Sequence, residues 1–181
     1  MIINPSSHWT FLGKGLLGSA AIRTPLVSWA GVYHQLLFEY YIAGYSGAAV
    51  ARLIVGPASG LSETGTTFCS SMIENVTLTT TAVSIPGWPT AVTVAAVSRW
   101  GHAYVQNIAN QVKLMNGWGQ YAGTAATVAP TQIKKSGMFS DSTNSIQQAE
   151  LAVYAAITGT AISSTTLNAG SYLIAWGRND N

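Results

Sequence analysis

Charge is the scarcest thing in this chain. Eight Lys/Arg and six Asp/Glu make up 8% of its 181 residues, against roughly 25% for an ordinary soluble domain. A net charge of +2, scattered along the chain, excludes the basic footprint that binds nucleic acid. The only adjacent basic pair, Lys134-Lys135, reads as a solvated turn. The polar surface must then be built from Ser, Thr, Asn, Gln and Gly. Charge keeps free proteins soluble and apart, so a chain without it suits life in an assembly. The alternative is a secreted, loop-rich all-β domain with an uncharged surface. Cysteine is almost absent: Cys69 stands alone, which excludes an intrachain disulfide and disfavours a stapled extracellular module. Within Thr66-Thr67-Phe68-Cys69 it reads as a small buried hydrophobe. Long apolar runs are also absent. No window reaches the roughly 18 uninterrupted apolar residues of a spanning helix, so no membrane is expected as a partner. Met1-Ile2-Ile3-Asn4-Pro5 has neither the basic nor the apolar region of a signal peptide, which leaves the sequon Asn75-Val76-Thr77 little weight. Phe11 to Ile22 (FLGKGLLGSAAI) has three glycines and reads as strand or loop, not helix.

The residue patterns of catalysis are missing as well. His8, His34 and His102 are far apart, with no metal-ligand spacing. The acids Glu39, Glu63, Glu74, Asp141, Glu150 and Asp180 form no close pair. There is no nucleophile elbow and no phosphate loop. No catalytic, cofactor-binding or metal-binding residue is assigned, and no cofactor or enzyme activity is expected. A sandwich-fold glycan hydrolase, whose carboxylates could meet in space without a sequence signature, is the weakest reading.

What the chain does have is a period of two. In Val32 to Ile42 one face reads Val32, His34, Leu36, Phe38, Tyr40, Ile42 and the other Tyr33, Gln35, Leu37, Glu39, Tyr41. That pattern predicts a strand packed on one side, with His34 a hydrogen-bonded sheet residue. Gly44-Tyr45-Ser46-Gly47 reads as a turn, and Ala48 to Val55 as a second strand with Arg52 on the face opposite Leu53 and Val55. Residues 56–65 read as a loop. The β-branched run Met72 to Ile85 reads as strand, and Val92 to Val97 as a central, doubly covered one. Trp100-Gly101-His102 is expected to bend. Val105 to Met115 is read as strand rather than helix, closed by a turn at Asn116-Gly117. Thr131-Gln132-Ile133 leads to Ser136-Gly137, residues 140–145 turn, and Ile146 to Ala156 alternates again. Gly170 to Gly177 is a final aromatic strand suited to an interior position. Eight or nine strands with Gly, Pro and Asn between them predict one all-β domain over 1–181, an antiparallel β-sandwich of jelly-roll type. Residues 1–24 are a candidate extended N-terminal arm.

Six tryptophans stand out in so short a chain. Trp29 and Trp176 lie in strand-like context and are expected in the core. Trp88, between Gly87 and Pro89, and Trp118, between two glycines, are expected in turns. Trp and Tyr favour interfaces, so Trp88 and Trp118 are the candidate contact residues.

Three stretches resemble a group of tailed-bacteriophage virion proteins with a jelly-roll fold, found as capsid decoration proteins and as fibre modules. They are Trp29 to Val55 with its Gly-Tyr-Ser-Gly turn and Ala51-Arg52-Leu53, Asn107 to Leu114, and Ala169-Gly170-Ser171 followed by a short strand and Gly177-Arg178. The chain departs from the group after the second strand, where many carry an Asn-rich turn and this one reads Ile54-Val55-Gly56-Pro57-Ala58. The resemblance implies a virion structural protein, a homotrimer, with the major capsid protein or other virion proteins as partners. The leading expectation is therefore a capsid decoration (cement) protein on the virion surface. The second is a tail or head fibre module whose tryptophan loops grip host glycan.

Overall fold

The computed structural model describes residues 8–62, 68–74, 77–85, 88–90, 97–122, 129–156 and 161–179. Among them are twelve strands and no helix: β1 (Thr10–Leu16), β2 (Val27–Ser28), β3 (Gln35–Ile42), β4 (Val50–Gly56), β5 (Phe68–Glu74), β6 (Thr77–Ile85), β7 (Trp88–Pro89), β8 (Arg99–Gln106), β9 (Lys113–Tyr121), β10 (Thr131–Phe139), β11 (Gln148–Tyr154) and β12 (Tyr172–Arg178). They form an eight-stranded sheet, β1-β12-β3-β8-β9-β10-β5-β6, and a four-stranded sheet, β2-β11-β4-β7. Every pairing between named strands is antiparallel. The fold is a β-sandwich. The chain passes from sheet to sheet at β1–β5, at β6–β8 and again at β10–β12, while β8, β9 and β10 form a meander in the large sheet.

The two-residue period places the core. Leu36, Phe38, Tyr40 and Ile42 of β3 point inward with Ala103 and Val105 of β8 and Leu173 and Ala175 of β12. They meet Ala51, Leu53 and Val55 of β4 and Ala149, Leu151 and Val153 of β11 in one apolar cluster. Trp29 packs against this cluster from its margin, beside Phe38. Trp176, expected in the core, lies on the outer face of β12, because the inward positions there are Leu173, Ala175 and Gly177.

Several expected breaks are absent. Trp100-Gly101-His102 runs straight through β8, and Asn116-Gly117 lies mid-strand in β9. The expected strand Val105 to Met115 is instead the end of β8, a connection at 107–112 and the start of β9. Asn110 turns that connection with φ of 59°, a left-handed conformation that Asn tolerates. The run Met72 to Ile85 is two strands, β5 and β6, paired with each other. Beyond Ser136-Gly137, β10 continues to Phe139. Within the expected arm, β1 is an edge strand hydrogen-bonded to β12. Lys134-Lys135 lies in β10, not a turn, with Lys134 exposed and Lys135 buried. Residues 92–96 of the expected strand at 92–97 and the side chain of Cys69 fall outside the described residues, and Val97 lies before β8, outside any strand.

The two outward faces differ. On the small sheet Ile54, Ala152 and Tyr154 are buried against Leu61. Arg52 lies over the Tyr154 ring at 4.1 Å and donates to the Ala156 carbonyl at 2.7 Å. Burial lowers its pKa to about 10. Arg23 pairs with Glu150 on the same side. The chain thus closes this face with its own segments, whereas the described residues leave most of the corresponding face of the large sheet uncovered.

Candidate functional site

Antiparallel pairing sets side chains of paired residues side by side, about 5 Å apart, on one face of the sheet. Reading the registers across the open face gives rows. One row is Leu16, Tyr172, Tyr41, Trp100, Gln120 and Gln132. The next is Lys14, Ile174, Glu39, His102, Trp118 and Lys134, and the third runs Phe11, Trp176, Leu37, Tyr104, Asn116 and Ser136. Aromatic rings dominate the face, and they pack on one another. Trp100 and Trp118 meet edge to face at 5.1 Å, as do Phe11 and Trp176 at 5.3 Å and Trp9 and Tyr104 at 6.1 Å, while Tyr41 and Tyr172 pack tilted at 5.7 Å. Such contacts hold rings in fixed positions.

Several of the few charges on this face are tied down, while Lys134 is exposed. The Trp176 indole N–H donates to the Glu39 carboxylate at 2.7 Å. Lys14 sits over the Tyr172 ring at 4.6 Å, and Arg178 sits over Trp9 and donates to Gln35. The pKa of His102 is pushed down, first by burial and then by Lys135, with Glu39 opposing.

Beneath the Trp100 end the sandwich interior turns polar. Lys135 donates to the Tyr40 hydroxyl at 2.6 Å and to the Thr90 carbonyl at 3.2 Å. Arg99 lies over the rings of Tyr45 and Tyr121. Burial, helped by Arg99, pulls the Lys135 ammonium down to about 7. Burial likewise holds the Tyr40 phenol well above its ordinary range. A cleft of about 220 Å³ opens at this end of the sheet, lined by Tyr41, Ser98, Arg99, Trp100, Gln120 and Tyr121 among others.

The opposite end of the same face is apolar. Leu114 (57% exposed) and Met138 (38%) are cross-strand partners on β9 and β10. In the connection just before β9, Ile108 (39%) and Val112 (42%) are also exposed. Two anchors hold this end. Asn107, fully buried, donates to the carbonyls of Tyr33 and Ile146 and accepts from the Ile146 N–H. Buried Lys113 donates to the carbonyls of Gln111 and Asp141.

Of the two candidate contact residues, Trp118 is half-buried on the open face, in the middle of β9 rather than in a turn. Trp88 is in β7, paired with Leu53 at the border of the small sheet. Its side chain lies outside the described residues. The two therefore belong to different sheets. Trp100, Tyr41 and Tyr172 complete the aromatic face, and alternation in β3 and β12 was the signal that could have found two of them. His34 lies outside β3, where its N–H donates to Asn179 and its carbonyl accepts from Asn107. No group of three His, Cys, Asp or Glu able to hold a metal occurs among the described residues. None of the described residues forms a helix long and apolar enough to cross a membrane. No protein-family model, curated protein or solved structure matches this chain.

Proposed function

We propose that this protein is a non-enzymatic structural subunit of a virion, a capsid decoration protein that bridges and stabilises capsid subunits. The observation that carries the reading is the exposed apolar end of the large sheet, Ile108, Val112, Leu114 and Met138, on a molecule with almost no charge. Burying such a patch contributes about 25 cal/mol per Å² before the costs of association. Contact through it depends little on ionic strength, because salt screens charges and not apolar burial. The patch is rigidly presented by Asn107 and Lys113, and all of it but Met138 lies within Asn107 to Leu114, one of the stretches that resembles phage virion proteins. The protein acts mechanically, as a homotrimer of stiff sandwiches adhering to the major capsid protein.

The test is co-sedimentation of purified protein with capsids stripped of it. The wild type is expected to bind with little change between low and moderate salt. Leu114→Lys and Met138→Lys should each weaken binding about tenfold or more, as truncation of a central apolar contact does, while circular dichroism stays unchanged. Binding that collapses at moderate salt, or that ignores both substitutions, would contradict the reading.

A further inference from the structure

The cleft at the Trp100 end is chemically unlike the apolar end. Leu114 and Gln120 are six residues apart on β9, about 20 Å along the strand. At the Trp100 end the row Tyr172, Tyr41, Trp100, Gln120 and Gln132 has no ionisable acid or base other than its two phenols. It runs across five strands and leads into the 220 Å³ cleft. Trp100 is 39% exposed. Trp118 packs edge-on against one side of it, and Tyr41 is its neighbour on β3. Tyr41 is in turn held by Tyr172. The indole is therefore exposed yet fixed in place. Next to it stand neutral groups that both donate and accept hydrogen bonds: the Gln120 and Gln132 amides, the tyrosine hydroxyls and Ser98.

We propose that this row and its cleft form a binding site for a neutral glycan chain lying across the strands. A sugar ring presents a flat face of C–H groups and a rim of hydroxyls. The first suits an exposed, immobilised indole or phenol, and the second suits amides and hydroxyls that donate and accept. An anionic polymer would call for exposed cations along the row, and the row itself has none. Arg99 lines the cleft but is buried over the rings of Tyr45 and Tyr121, Lys14 is placed over Tyr172, and exposed Lys134 stands in the adjacent row beside Trp118. An acyl chain would offer no hydrogen bond to the Gln120 amide it covers, which is costly. This inference does not rest on the capsid role. The apolar patch lies at the far end of the face, so either can fail without the other.

The probe is a panel of maltohexaose, cellohexaose, chitohexaose and mannohexaose, with a heparin hexasaccharide as the anionic comparison. Binding is followed by tryptophan fluorescence and calorimetry on the full chain. At least one neutral hexasaccharide is expected to bind, and the heparin fragment to bind none the tighter. Trp100→Ala should weaken binding about tenfold or more. Gln120→Ala, which leaves the rings in place, should weaken it by a smaller factor. The proposal is overturned if no neutral member binds, if heparin binds best, or if both variants bind as the wild type does. It is also overturned if the wild type self-associates through this row, seen as a shift to monomer in Trp100→Ala by sedimentation velocity.

Discussion

Lys135 is the residue whose environment departs furthest from what its type prefers. It is buried between the sheets with its ammonium on the Tyr40 hydroxyl and the Thr90 carbonyl. In the folded chain its pKa is drawn to about 7, against 10.5 for the free group. Between those values the unfolded chain holds a proton that the folded one has lost, so stability rises with pH. Above about pH 10 the sign reverses. The Tyr40 phenol stays protonated in the fold, while in the unfolded chain it ionises near 10.0. Urea midpoints are therefore expected to climb from about pH 7 to about pH 9. In Lys135→Met that climb should vanish, with stability at neutral pH equal or higher, as replacing a buried charge by an apolar group of like volume often gives. A wild type flat over this range, or a slope that survives in Lys135→Met, would contradict the account. Nothing in the sequence marked Lys135 as inward. Residues 131–139 carry apolar and polar types on both faces, so a period of two fixes that they alternate but not which set faces in. The same ambiguity hid Lys113, which shares a face with Met115 while Leu114 points outward.

At the scale of elements, strands were legible and their interruptions were not. Alternation in β3 gave the correct inward face, because Leu36, Phe38, Tyr40 and Ile42 are all large and apolar, and in β4 it set Arg52 correctly opposite Leu53 and Val55. Glycine misled in β8 and β9, where it reads as a break and in fact makes room. A side chain at Gly101 would put Cβ 2.5 Å from the Tyr40 hydroxyl and 2.8 Å from the Trp118 carbonyl oxygen, and Gly119 is crowded by the same phenol. Tyr40 is a long side chain pointing into the sandwich, and the next two strands of its own sheet make room for it with glycines at the paired positions. Gly101→Ala is accordingly expected to cost about 1–3 kcal/mol in urea unfolding. Gly18→Ala, with nothing within 4 Å, should leave stability nearly unchanged. Equal effects at the two positions would count against a steric role for Gly101. The turn at 107–112 escaped notice because its one left-handed residue is Asn110, not glycine, whereas the Asn116-Gly117 pair that looks like a turn is held straight by pairing on both sides.

For the whole molecule, the deciding asymmetry is between its two outer faces. The small sheet is sealed by its own loops through Arg52, Tyr154, Leu61 and the Arg23–Glu150 pair. The large sheet leaves an aromatic face open, with Phe11 56% exposed near one edge and Leu114 at one end. Exposed apolar patches on an otherwise polar surface mark contact sites, and here few charges are present to offset them. The tryptophan content pointed toward contact from the start. Which tryptophans share a face could not be read before the register was known, since Trp100 and Trp118 are brought together only by the pairing of β8 with β9. The measurement that bears most directly on the capsid role is the copy number of this protein in purified particles, by quantitative mass spectrometry against the major capsid protein. A number comparable with that of the capsid subunit is expected. Absence from the particle, or only a few copies in each, would contradict a lattice-wide decoration role.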